Sequence, residues 1–200
     1  MNMIPKMTAA IVAGVLLSLN ASAQETKPPQ KLPFYIYSDQ SDHFIPSGYM
    51  GDTSDIVIAG ASKNNPGKGA ACMQIKYSGK ASGGQKWAGV YWQYPANNWG
   101  TVKGAGYNLT GANKVKFMAR GEKGGEVVEF KAGGISGEYP DSFKAEASPV
   151  ALTTEWKEYE IDLTGQDLSS VIGGFVFTCA KDKNTDGATF YLDEIRYTAD

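Results

Sequence analysis

Short apolar runs alternate with Gly, Asn, Asp and Pro along the 200-residue chain, and within the runs the dominant period is two. FYIYS (34–38), DIVIA (55–59), ACMQIKYS (71–78) and WAGVYWQY (87–94) are the first candidate strands. NKVKFMAR (113–120), EVVEFKAG (126–133), KEYEIDL (157–163), GGFVFTCA (173–180) and TFYLDEIRY (189–197) follow. Their β-branched and aromatic content and their glycine punctuation are strand signals. No long stretch carries the 3.6-residue period of a helix, although QDLSSV (166–171) is a candidate for a single helical turn. Many strands without βαβ alternation predict an all-β fold, an antiparallel sandwich in a single domain.

The alternation also sorts side chains onto faces. In WAGVYWQY, Ala88, Val90, Trp92 and Tyr94 point one way, while Trp87, Gly89, Tyr91 and Gln93 point the other. Val128, Phe130 and Ala132 oppose Val127, Glu129 and Lys131; Val115, Phe117 and Ala119 oppose Lys116, Met118 and Arg120. The apolar sets read as the filling between two sheets. The opposite sets mix aromatic, amide and charged groups, which is what a shallow groove for a polar ligand requires. GVYWQYPANNWG (89–100) adds Trp99 in a loop, beside Asn97 and Asn98, which suit either an amide contact or a turn. Parity assigns Trp92 to the core, and Trp156, at the start of a strand, reads as packing.

The first 23 residues have a different pattern. A lysine at position 6, an apolar run from Ala9 to Leu19 and Ala21-Ser22-Ala23 follow the order of a secretory signal peptide. The run is shorter than the roughly 20 residues that span a bilayer, so no membrane insertion is expected. The division expected is signal peptide 1–23, a disordered proline-rich leader 24–33 and a sandwich domain 34–200, secreted or periplasmic and monomeric. Of 19 basic and 21 acidic residues, cleavage removes one lysine and no acid, leaving a net charge of −3. So small a charge gives no footprint for nucleic acid. In an oxidising compartment Cys72 and Cys179 are free to pair, but parity puts Cys72 on an outward face with Gln74 and Lys76, and Cys179 inward with Phe175 and Phe177.

Four segments in order, GVYWQYPANNWG, GYNLTGANKVKFMARGEKGGE, LTTEWKEYEIDLTGQDLSSVIGGFVF and ATFYLDEIRY, resemble secreted bacterial jelly-roll domains of the carbohydrate-binding-module kind. Trp156, Tyr159, Ile161, Asp162 and Leu163 match a W-x-x-Y-x-I-D-L segment found in such modules, and Tyr191 to Ile195 match a closing Y-L-D-E-I strand. The resemblance covers most of residues 34–197. It implies a jelly-roll β-sandwich that binds a polysaccharide or oligosaccharide by stacking rings on sugar faces and hydrogen-bonding the hydroxyls. Carried over, the ligand set is Trp87, Tyr91 and Gln93 with Arg120, Glu129 and Lys131 on neighbouring strands, and Trp99 at one end of the groove. It further implies a structural calcium held by Asp193 and Asp39, with a carbonyl from NNPGKG (64–69). Asp42, Asp52 and Asp55 are alternatives, and no DxDxDG cluster is present; the other reading of Asp193 is that it bonds backbone amides without metal.

Catalysis is less well supported. Glycoside hydrolysis normally uses two carboxylates facing each other across the bond. Glu126 and Glu129 point to opposite faces of a strand, and Glu158, Glu160 and Asp162 fail the E-x-D-x-x-E order of laminarinase-like jelly rolls. GISGE (134–138) lacks the following helix of a nucleophile elbow, and the lone His43 lies in a loop. The sequence therefore reads as a non-catalytic glycan binder. The alternatives are a glycoside hydrolase or polysaccharide lyase on the same fold, or an adhesive envelope protein.

Overall fold

The structure is a computed structural model that describes residues 27–200. The signal-like segment 1–23 and the first residues of the leader lie outside the described residues. Twelve strands build two antiparallel sheets: β1 (Phe34–Tyr37), β2 (Ile45–Gly51), β3 (Ile56–Ser62), β4 (Cys72–Tyr77), β5 (Trp87–Gln93), β6 (Lys114–Gly121), β7 (Val127–Gly133), β8 (Lys144–Glu146), β9 (Val150–Ala151), β10 (Lys157–Asp162), β11 (Gly173–Ala180) and β12 (Ala188–Thr198). The first sheet runs β10-β6-β12-β4-β3 with β1 beside β12; the second runs β2-β5-β11-β7-β8 with β9 beside β7. The chain changes sheet at every connection except those between β3 and β4, β7 and β8, and β8 and β9. This is the jelly-roll β-sandwich that the alternation and the resemblance predict.

Inward-facing rings close the space between the sheets. Phe117 of the first sheet meets Phe130 and Phe175 of the second, with ring centroids 4.6 and 5.1 Å apart. Phe177 meets Phe190 at 5.3 Å, and Trp92 packs edge-on against Phe175 and Phe177. All of these rings are fully buried, so their apolar area is removed from water and drives the association of the sheets.

Three strands escape the sequence pattern. IPSGYMG (β2) contains a proline and two glycines; the register slips between Pro46 and Gly48 where it pairs with β5, as an edge strand with a bulge permits. Strands β8 and β9 are too short to show a period. The helical turn expected at 166–171 does not form. Asp167 accepts the Ser169 amide at 2.9 Å, a local turn that competes with helix, and Val171 bridges to Tyr107 instead.

The leader is also tied down where it is described. Gln30 donates to the Asn108 carbonyl at 2.8 Å, Lys27 Nζ reaches the Gly106 carbonyl at 2.7 Å and Asn108 Nδ2 reaches the Lys27 carbonyl. Backbone bonding of this kind orders a polar, proline-rich segment that composition alone marks as disordered. The last strand ends against the same turn, with Asn113 donating to the Thr198 carbonyl.

Candidate functional site

The outer faces of the two sheets differ. That of the second sheet is an open trough of about 590 Å³, lined by Trp87, Tyr91, Glu129, Lys131, Lys144 and Thr178 among others. Antiparallel register sets its layout. Tyr91, Val176 and Lys131 stand abreast across β5, β11 and β7, and Gly89, Thr178 and Glu129 form the next row. Trp87 lies one row further, opposite Ala180. Trp87 and Tyr91 are four positions apart on β5, so their Cα atoms lie roughly 13 Å apart along the strand. The floor between them is low: Gly89 has no side chain, and a Cβ there would come within 2.7 Å of the Thr178 methyl.

Each polar group has a local partner that fixes it. Lys131 Nζ lies 3.0 Å from Glu129 and 3.4 Å from Glu146. Burial opposes its charge, but the two carboxylates outweigh that and hold Lys131 above the usual lysine range. Thr178 donates to Glu129 at 3.1 Å. The Tyr91 hydroxyl donates to the Gly133 carbonyl at 3.2 Å, and burial pushes its pKa up to about 12, so it is a neutral donor and an aromatic surface at working pH. Trp99 stands edge-on to Tyr91 with centroids 5.9 Å apart and is 40% exposed.

Of the seven predicted ligand residues, five meet in or beside this trough: Trp87, Tyr91, Glu129, Lys131 and Trp99. Gln93 shares their face but is fully buried, roofed by the loop that carries Trp99. Its amide donates to the Asn98 carbonyl at 3.0 Å and its oxygen accepts from Ser47 at 2.9 Å, so it supports the loop rather than meeting a ligand. Arg120 is elsewhere: β6 belongs to the other sheet, and parity gives a face without saying of which sheet. Lys86, Met50, Lys144 and Val176 also line the trough and escaped sequence reasoning. Lys144 and Met50 lie on short or irregular strands, Lys86 precedes a strand, and an apolar Val176 on an outward face gives no signal.

The outer face of the first sheet is covered by the segment 63–71, and several flagged residues converge on it. Arg120 lies 3.8 Å above the Tyr191 ring and 5.4 Å from the Trp156 ring, and donates to the Asn64 carbonyl at 2.8 Å. Trp156 donates from Nε1 to the Asn65 carbonyl at 2.8 Å. Asp193 accepts the Gly67 and Lys68 amides, each at 3.0 Å, on one oxygen and the Glu194 amide on the other. Asp39 accepts the Ala70 and Ala71 amides at 2.6 and 2.9 Å. Burial raises the Asp193 pKa above the usual carboxylate range, with these amides pulling the other way.

These partners bear on the calcium that the resemblance implies. Calcium needs about 6–8 oxygens around it. Here amide hydrogens, which carry positive partial charge, occupy one oxygen of Asp39 and both oxygens of Asp193, and no group of three or more His, Cys, Asp or Glu side chains is poised for a metal among the described residues. The residues present do not fit the ion at this place. Cys72 lies beneath the same covering segment, with Sγ 3.7 Å from the Asn64 carbonyl, and Cys179 lies in the core; both are free.

No family of known proteins matches the chain by sequence, and no curated protein is significantly similar to it. Solved structures do match. One family 30 carbohydrate-binding module superposes with a TM-score of 0.53 at 19% identity, covering 85% of this chain and 100% of that one. Another gives 0.54 at 15% identity, covering 82% and 86%. The family 30 module of a cellulosomal cellulase of Clostridium thermocellum gives 0.52 at 18% identity, covering 82% and 96%. At these identities the likeness establishes architecture. The protein has the β-sandwich fold of carbohydrate-binding modules.

Proposed function

We propose that the protein binds a glycan, without altering it, in the trough over the second sheet. The observation that carries the reading is the placement of Trp87, Tyr91 and Trp99 along one open face beside the Glu129–Lys131–Thr178 set. Rings present electron-rich faces to the C–H groups of a pyranose, and their contact removes apolar area from water. The ion pair and the threonine supply donors and acceptors for hydroxyls. The fold likeness to carbohydrate-binding modules supports the same reading, although fold alone does not assign a ligand.

Binding without cleavage is supported by the carboxylates. Among the described residues Glu129 is the one carboxylate lining the trough; it is engaged by Lys131 and Thr178, and Glu146 at the rim pairs with the same lysine. The signal-like pattern of residues 1–23 supports a location outside the cytoplasm, which cell fractionation tests. Affinity electrophoresis through a panel of soluble polysaccharides tests the function. Retardation by at least one polymer, lost in Trp87→Ala and Tyr91→Ala, is expected. No retardation by any polymer, or release of reducing sugar during incubation, overturns the reading.

A further inference from the structure

We propose that the glycan held in the trough is acidic, a polymer of the uronate class whose carboxylates are taken by Lys86 and Lys144. This inference rests on the reading of the trough as a glycan site.

The lysines of the trough fall into two kinds. Lys131 is neutralised by Glu129 and Glu146. Lys86 and Lys144 have no carboxylate within ion-pair distance among the described residues. In a chain with a formal net charge of −2, the open trough and its rim thus set three lysines against Glu129 and Glu146, a net positive charge, and the unpaired ammoniums are those of Lys86 and Lys144. A neutral glycan needs neither; the ion pair, the hydroxyl and the rings already bond its hydroxyls.

An exposed lysine alone is only a solvated charge, but both of these are placed by specific backbone arrangements. Lys86 has φ +64°, a left-handed conformation that glycine adopts freely and a long side chain does not. Asp52, itself buried, enforces that turn by accepting the Gln85 and Lys86 amides at 3.0 and 2.8 Å. The chain thus keeps a strained lysine beside Trp87 where glycine would be relaxed. Strain retained in this way is a pointer to function. At the other ring, Lys144 stands opposite Gly133, whose carbonyl takes the Tyr91 hydroxyl. Its stem crosses Gly134, where a Cβ would come within 3.0 Å of the lysine Cγ. Without a side chain at 134 the apolar stem lies flat and its ammonium stays free. Lys86 thus adjoins Trp87 in the chain and Lys144 stands near the Tyr91 row, the arrangement that a stacked sugar with a carboxylate at its edge would match.

Affinity electrophoresis and calorimetry with sodium polygalacturonate and sodium alginate, against neutral galactan and mannan, test the inference on the full exported chain. Binding to an acidic polymer is expected to exceed binding to the neutral ones and to weaken by about tenfold between low and high salt. Lys144→Ala should weaken acidic binding several-fold. Lys86→Gly should do the same while the melting temperature holds or rises, because the strain is relieved. Preference for neutral polymers with no effect of either substitution overturns this inference and leaves the trough as a glycan site. Acidic binding that survives Trp87→Ala and Tyr91→Ala places the charge effect outside the trough and overturns it too. Binding to neither class removes both readings.

Discussion

Tyr91 and Trp99 meet edge to face, 5.9 Å between centroids, although one lies on a strand and the other in the loop after a neighbouring turn. Part of the Trp99 ring stays open to solvent, as a ligand-facing surface requires. Trp99→Ala should weaken glycan binding by about 2 kcal/mol, the cost of truncating a central aromatic contact. Calorimetric titration reads the loss, and circular dichroism should show the sheet signal unchanged.

Gln93 holds that loop from below through Asn98 and Ser47. Gln93→Leu keeps the volume but leaves a buried carbonyl and a hydroxyl without their partner. A loss of about 1–3 kcal/mol in urea denaturation is expected. Binding should weaken in the same variant, because Trp99 loses its support.

Asp141 accepts the amides of Ile135, Ile172 and Gly173, yet burial pushes its pKa up to about 6. The folded state therefore takes up a proton at higher pH than the unfolded chain. Its contribution is full below the ordinary value near 3.8 and is lost as pH rises through about 6. Asp55, Asp162, Asp167 and Asp200 are lowered by hydrogen bonds and act with the opposite sign, so the comparison must be made against Asp141→Asn. Thermal melts from pH 4 to 6.5 should show the parent losing stability relative to Asp141→Asn as pH rises. A constant difference across that window counts against this assignment.

Asp193 and Asp39 anchor the covering segment through amide hydrogens. Neither added calcium nor a chelator should move the melting temperature. Asp193→Ala should instead destabilise by about 1–3 kcal/mol, the cost of leaving amides unpaired. Hydrogen exchange should accelerate at Gly67 and Lys68 in that variant.

Most of the fold was legible because burial on one face imposes a period of two. The nine long or strongly alternating strands follow that pattern to within a few residues; IPSGYMG and the pieces at 144–146 and 150–151 do not, since bulges, glycines and brevity erase it. The site was legible in part for the same reason. Alternation separated Trp87 and Tyr91 from Trp92, and Glu129 and Lys131 from Phe130. It could not say that β6 and β5 lie in different sheets, and so it joined Arg120 to a trough on the opposite side of the molecule. Nor could it show that a loop would roof Gln93, because loop paths depend on distant hydrogen bonds rather than on local period.

The turn around residues 106–113 receives Lys27 and Gln30 at one side and Thr198 at the other. Tyr107 in that turn stacks near Tyr94, with centroids 4.3 Å apart, at the Trp99 end of β5. Lys27 and Thr198 therefore meet the sandwich at a single pole, and Trp87 and Lys86, at the far end of β5, face the opposite one.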